Sequence, residues 1–110
     1  MKIDVKVSEM LDGQFMEKCF ACGEKVIIAP HVLLRKISRG LGLDMNCVER
    51  AVFLKGAVPE RYARNLMTFS AEEQRQLFFS KVAMVGIGGL GGHLLESLAR
   101  AGVGHITACD

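Results

Sequence analysis

The chain has 110 residues, 50% of them hydrophobic and 24% charged, with a formal net charge of +2. That is room for one small domain and too little for a complete doubly wound enzyme, and the charge is too small to argue for nucleic acid or an anionic membrane. No apolar run approaches the roughly 18–20 residues of a membrane span, and Met1 to Asp12 alternates charged and apolar residues where a signal peptide has an apolar core, so the expected location is cytoplasmic.

In chain order, Ser8 is expected to cap a short helix that ends at Leu11, with Asp12-Gly13 as its stop. Cys19-Phe20-Ala21-Cys22 has the spacing of half a zinc site. No second pair stands at a matching spacing, so two small thiols beside a turn at Gly23 are preferred and no metal site is assigned. Val26 to Ala29 reads as an extended piece before Pro30. From there Val32, Leu33, Leu34, Ile37 and Leu41 predict one apolar helix face, stopped at Gly40 or Gly42. Asp44 predicts a cap for a second helix that buries Cys47, Val48, Ala51, Val52 and Phe53 and stops at Gly56. Ser38, Gly42 and Val48 stand at offsets compatible with a helix-turn-helix. The second helix offers only Arg50 and Lys55 as cations and opens on acidic or neutral residues, so DNA is disfavoured as a partner.

Composition shifts near Gly56-Ala57-Val58-Pro59, which divides the chain into a mostly helical region, 1–57, and a second part, 58–110. In the second part Ser70-Ala71-Glu72-Glu73 predicts a capping box and a helix carrying Gln74, Leu77 and Phe78. A strand follows at Val82 to Val85, then a glycine-rich turn, a helix from about Gly92 to Ala101 with Leu94, Leu95, Leu98 and Ala99 as its buried stripe, and a strand at His105 to Cys109. The crossover predicts two parallel strands. The fold class is therefore α/β, an opening βαβ unit preceded by a small, mostly helical N-terminal region.

The turn is Gly86-x-Gly88-Gly89-x-Gly91-Gly92. Glycines there permit a sharp strand-to-helix turn and let a phosphate approach the amides of a helix N-terminus. Asp110 ends the next strand, about 20 residues beyond Gly88, where a carboxylate accepts hydrogen bonds from a ribose. The pattern predicts an adenine nucleotide but does not separate a nicotinamide dehydrogenase from an ATP-using enzyme.

The flanking residues narrow that choice. Arg61-Tyr62-x-Arg64-Asn65, Glu73-Gln74, Ser80-x-Val82, the glycine turn, and Leu98-Ala99-Arg100-Ala101-Gly102-Val103-Gly104-x-Ile106-Thr107-x-x-Asp110 follow in order. Together they resemble the N-terminal segment of the ubiquitin-activating-enzyme-like superfamily, the ThiF, MoeB and HesA proteins. The resemblance covers roughly residues 60 to 110 and implies the opening of a Rossmann-like adenylation domain. It implies an adenylyltransferase that uses ATP and magnesium to activate the C-terminal carboxylate of a small ubiquitin-like or sulfur-carrier protein. By position, it implies that Gly86, Gly88, Gly89 and Gly91 face ATP, that Asp110 holds the ribose, and that Arg64 reaches into the partner of a homodimer to neutralise phosphate. Asn65 stands where the family usually has glutamine. The family's magnesium ligand lies beyond Asp110, so the expectation is that these residues alone are inactive. The alternatives are a nicotinamide- or flavin-binding oxidoreductase fragment and a non-enzymatic helical interaction module. Two strands with one crossover also leave apolar faces open, which predicts pairing with a second copy through Val82 to Val85 or Gly92 to Ala101.

Overall fold

A computed structural model describes residues 2–19 and 25–110, which form two small sheets with helices packed around them. Helix α1 (Lys2–Leu11) runs through Ser8 instead of starting there, because no glycine or proline interrupts the residues before it. It stops at Asp12-Gly13 as the sequence predicts. Strand β1 (Met16–Cys19) pairs antiparallel with β2 (Lys25–Ala29), Met16 opposite Ile28 and Cys19 opposite Lys25. All four residues of β1 are exposed, so it carries no alternating pattern that would announce a strand. Cys22, the second member of the Cys-x-x-Cys pair, lies outside the described residues.

Two helices connect β2 to its parallel neighbour β3 (Val58–Pro59), where Ile28 faces Val58. Helix α2 (His31–Leu41) buries Leu34 and Ile37 and ends on Gly42 in the left-handed conformation. Val32 leaves the expected apolar face and is exposed, since two residues of helix turn it roughly 200° away from Leu34. Helix α3 (Met45–Leu54) starts on Asp44, whose carboxylate accepts the Cys47 amide at 3.1 Å. Its inward face is Val48, Glu49, Ala51, Val52 and Phe53. Cys47, expected among them, is exposed because it falls on the opposite side of the helical wheel at roughly 100° per residue.

A 3₁₀ segment, Glu60–Met67, leads to α4 (Ala71–Phe79), which opens on the predicted capping box. The Ser70 hydroxyl accepts the Glu73 amide at 3.1 Å, and the Glu73 carboxylate accepts the Ser70 amide at 2.9 Å. Ser70→Ala should cost about 1 kcal/mol, the usual loss for an N-cap serine, measurable by urea unfolding. The amides also hold the Asp44 and Glu73 carboxyls below their ordinary values of 3.8 and 4.5, because each accepts a backbone hydrogen bond. A lowered pKa means that the cap is present above the free value and lost as pH falls through the lower one. In an NMR titration the Cys47 amide should therefore move with a midpoint below 3.8 and the Ser70 amide with one below 4.5.

Strand β4 (Lys81–Val85), helix α5 (Leu90–Ala101) and strand β5 (His105–Cys109) complete the chain, with β4 and β5 parallel from Lys81–His105 to Val85–Cys109. The core lies elsewhere. One cluster joins α1, α2 and α3 through Val7, Leu11, Leu34, Ile37, Val48 and Val52. The other joins β2, β3, the 3₁₀ segment and α4 around Phe53, whose ring stands 4.8 Å from Phe78 and 6.1 Å from Tyr62. Helix α5 has no fully buried residue, so the stripe expected at Leu94, Leu95, Leu98 and Ala99 is incompletely covered: Leu94 and Ala99 are exposed, Leu95 and Leu98 partly buried. A two-stranded sheet is too narrow to cover it. Val85, Leu90 and Leu94 are 87%, 86% and 54% exposed.

Candidate nucleotide site

The β4–α5 turn is built from its glycines. Gly86 follows β4 and donates its amide to the Cys109 carbonyl at 2.7 Å, continuing the ladder by one bond. That bond brings Asp110, the next residue of the neighbouring strand, beside the start of the turn. Gly89 precedes α5 with φ 58° and ψ −120°, a conformation that side chains with a Cβ rarely take. A Cβ on Gly91 would overlap the Gly86 carbonyl oxygen, so the close return of the chain requires glycine there. Around Gly88 and Gly89 there is open space. No side chain caps the first turn of α5; the Gly91 amide donates to the Gly88 carbonyl at 3.1 Å, and no side chain accepts from the amides beside it. Exposed amides at the N-terminus of a three-turn helix, with room beside them, suit a phosphate. An exposed carboxylate one strand away suits the ribose hydroxyls of the same nucleotide.

Gly86, Gly88, Gly89, Gly91 and Asp110 thus lie together at the carboxyl edge of the small sheet. Arg64 does not join them. It lines a groove of about 570 Å³ with Tyr62, Asn65, Glu96, Ala99 and Arg100, at the other end of α5. The groove meets α5 from Glu96 to Arg100, six to ten residues beyond Leu90, about 9–15 Å at 1.5 Å per residue. Arg61 lines the same groove but is held from within: its guanidinium donates to Glu49 at 2.8 Å and to the Tyr62 hydroxyl at 2.6 Å. Its Nε forms a second, bent ion contact with Glu49 at 2.6 Å. Glu49 is fully buried, and burial pushes its carboxyl above the ordinary 4.5 while Arg61 pulls it back. Burial also raises the Tyr62 phenol. Burial works against the Arg61 charge, but Glu49 and Tyr62 overcome it and raise its pKa. Arg61 is a packing residue.

The other flanking motifs form a clamp on the far end of α5. The Gln74 amide donates to the Ala101 carbonyl at 2.8 Å, and the Asn65 amide to the Arg100 carbonyl at 3.2 Å. These bonds satisfy carbonyls that the last helical turn leaves open. Gly102 takes φ 106° and lies against Gln74 and Tyr62, while Gly104 runs along the Phe78 carbonyl. Asn65, although shorter than the family's usual glutamine, still reaches α5. Sequence reasoning had no signal for this use of Gln74, because a polar residue in an amphipathic helix ordinarily faces water. Among the described residues no group of three His, Cys, Asp or Glu side chains is placed to hold a metal ion, and no helix is long and apolar enough to cross a membrane.

A strand, a glycine turn, an uncapped helix N-terminus and a parallel strand ending in an acid define the opening unit of a Rossmann-like nucleotide-binding fold. Residues 62–110 match the ThiF family model, so this part of the chain is similar to that family. No curated protein and no solved structure matches the chain.

Proposed function

We propose that residues 58–110 open an ATP-dependent adenylating domain that activates the C-terminal carboxylate of a ubiquitin-like or sulfur-carrier protein. The observation that carries this reading is the Gly86–Cys109 hydrogen bond, which sets the glycine turn and Asp110 side by side, within a segment matched by the ThiF family model. ATP supplies an α-phosphate that the carrier's carboxylate attacks, with pyrophosphate leaving. The chain's own part is to seat the phosphates on the amides of Gly88 to Leu90 and the ribose on Asp110. Magnesium would accompany the phosphates.

Arg64 fits the reading only if it acts on a second copy, because its own glycine turn lies at the opposite end of α5. A guanidinium is permanently charged and bidentate toward phosphate oxygens, which suits that role. The exposed Val85, Leu90 and Leu94 favour a homodimer for the same reason that an uncovered apolar sheet face does. Sedimentation should give a dimer whose association weakens when Leu90→Asp is introduced; a monomer at high concentration contradicts the pairing.

ATP–pyrophosphate exchange tests the activity in a protein containing this chain together with a carrier ending in Gly-Gly. Exchange should require the carrier and fall by at least about a hundredfold in Arg64→Ala, in line with the loss of a charge-stabilising donor. Carrier-independent exchange, or none, overturns the reading.

A further inference from the structure

A second groove, of about 270 Å³, lies at the amino ends of β4 and β5, on the opposite edge of the sheet from the glycine turn. Arg50 from α3, Lys81 from β4 and His105 from β5 line it, with the Asn46 amide and the ring of Phe79 beside them. It contains no carboxylate. Four cations elsewhere have acidic partners: Lys25 with Glu17, Lys55 with Asp12, Arg61 with Glu49, Arg100 with Glu96. Arg50, Lys81 and His105 come from three separate elements and line the same groove. The lining is also already ordered. Asn46 is fixed by donating to the Gly104 carbonyl at 3.0 Å, and Phe79 packs edge-on against Phe78 with Arg75 over its ring at 5.8 Å.

We propose that this groove binds a small oxyanion, either a phosphate group or the carboxylate of an acidic peptide, between Arg50 and Lys81. A guanidinium and an ammonium converging on one anion give charge-assisted hydrogen bonds, and the third donor from His105 completes a cradle that water alone fills less well. Phe79, 40% exposed, offers an apolar wall for whatever carries the anion. Because Arg50 and Asn46 belong to the N-terminal region while Lys81 and His105 belong to the βαβ unit, an anion here would tie the two regions together. The site is independent of the nucleotide reading. Five residues of strand, about 16 Å, separate it from Gly86.

The test is an amide NMR titration of the whole chain at constant ionic strength, with inorganic phosphate in one series and a triglutamate peptide in the other. Saturable shifts are expected around Asn46, Arg50, Lys81 and His105. The tighter of the two probes identifies the source of the anion. In Arg50→Gln with Lys81→Gln the affinity should fall at least about tenfold, as losing charged hydrogen bonds requires. Both side chains are exposed, so the variant should melt like the wild type; if it does not, Lys81→Gln alone is read the same way. Shifts that never saturate, that centre on Gly86 to Gly91, or that survive the substitutions unchanged overturn the proposal.

Discussion

Gly104→Ala should destabilise the protein by about 2–4 kcal/mol, the cost of forcing a methyl group into a closed backbone contact. A Cβ at this position would overlap the carbonyl oxygen of Phe78, which is backbone in the last turn of α4 and cannot swing aside as a side chain would. Nor can residue 104 retreat, because its own carbonyl accepts the Asn46 amide from α3. Relief would have to separate β5 from α4, and with it the contact between the βαβ unit and the rest of the chain. At about 4–8 °C per kcal/mol for a domain of this size, the melting temperature should drop by about 8–32 °C. Gly40→Ala is the matched control. Gly40 lies inside α2 with no atom within 4 Å of its would-be Cβ, so alanine there should stabilise by up to about 1 kcal/mol through helix propensity. Equal effects from the two substitutions would show that the Gly104 contact does not matter.

The second large effect belongs to Arg61. Its removal leaves Glu49 fully buried without its ion partner, a change that typically costs about 3–5 kcal/mol. Half of the Arg61 side chain is in water, so the lower end of that range, about 3 kcal/mol, is expected for Arg61→Ala. The pH dependence gives the mechanism away. Burial raises the Glu49 carboxyl above 4.5, and without Arg61 it should rise further. The folded state then holds its proton more tightly than the unfolded state does, so stability is full below pH 4.5 and is lost as pH rises through the folded value. Arg61→Ala should therefore differ little from wild type in acid and diverge toward neutral pH. Arg64→Ala, with an exposed side chain, should stay within about 0.5 kcal/mol at every pH. If Arg64→Ala were the destabilising substitution and Arg61→Ala the silent one, the assigned roles would be reversed.

Much of the nucleotide unit is legible in the sequence because its signals are short-range. Glycine spacing sets the turn, the capping box at Ser70 sets α4, and two apolar runs on either side of one helix set parallel strands. What is not legible depends on neighbours distant in the chain. Strand β1 is exposed on both faces and pairs with β2. Glu49 and Gln74 sit in helices whose other polar residues face water, and only the arrival of Arg61 and of the α5 carbonyls accounts for their burial. The α5 stripe has the periodicity of a buried face, but the strands here are too few to cover it. The order of the motifs carries the family resemblance, yet gives no sign that Tyr62, Asn65, Gln74 and Gly102 to Gly104 are packed against one another. That clamp fixes one end of the helix whose other end is the glycine turn.

The central claim is that this turn, with Asp110, is an ATP site. Amide NMR of the whole chain titrated separately with ATP and with NAD tests it most directly. The account predicts that ATP shifts Gly88, Gly89, Leu90 and Asp110 and leaves the groove at Lys81 and His105 comparatively still, and that Gly89→Val abolishes the response. Shifts of the same residues by NAD without a response to ATP would contradict it.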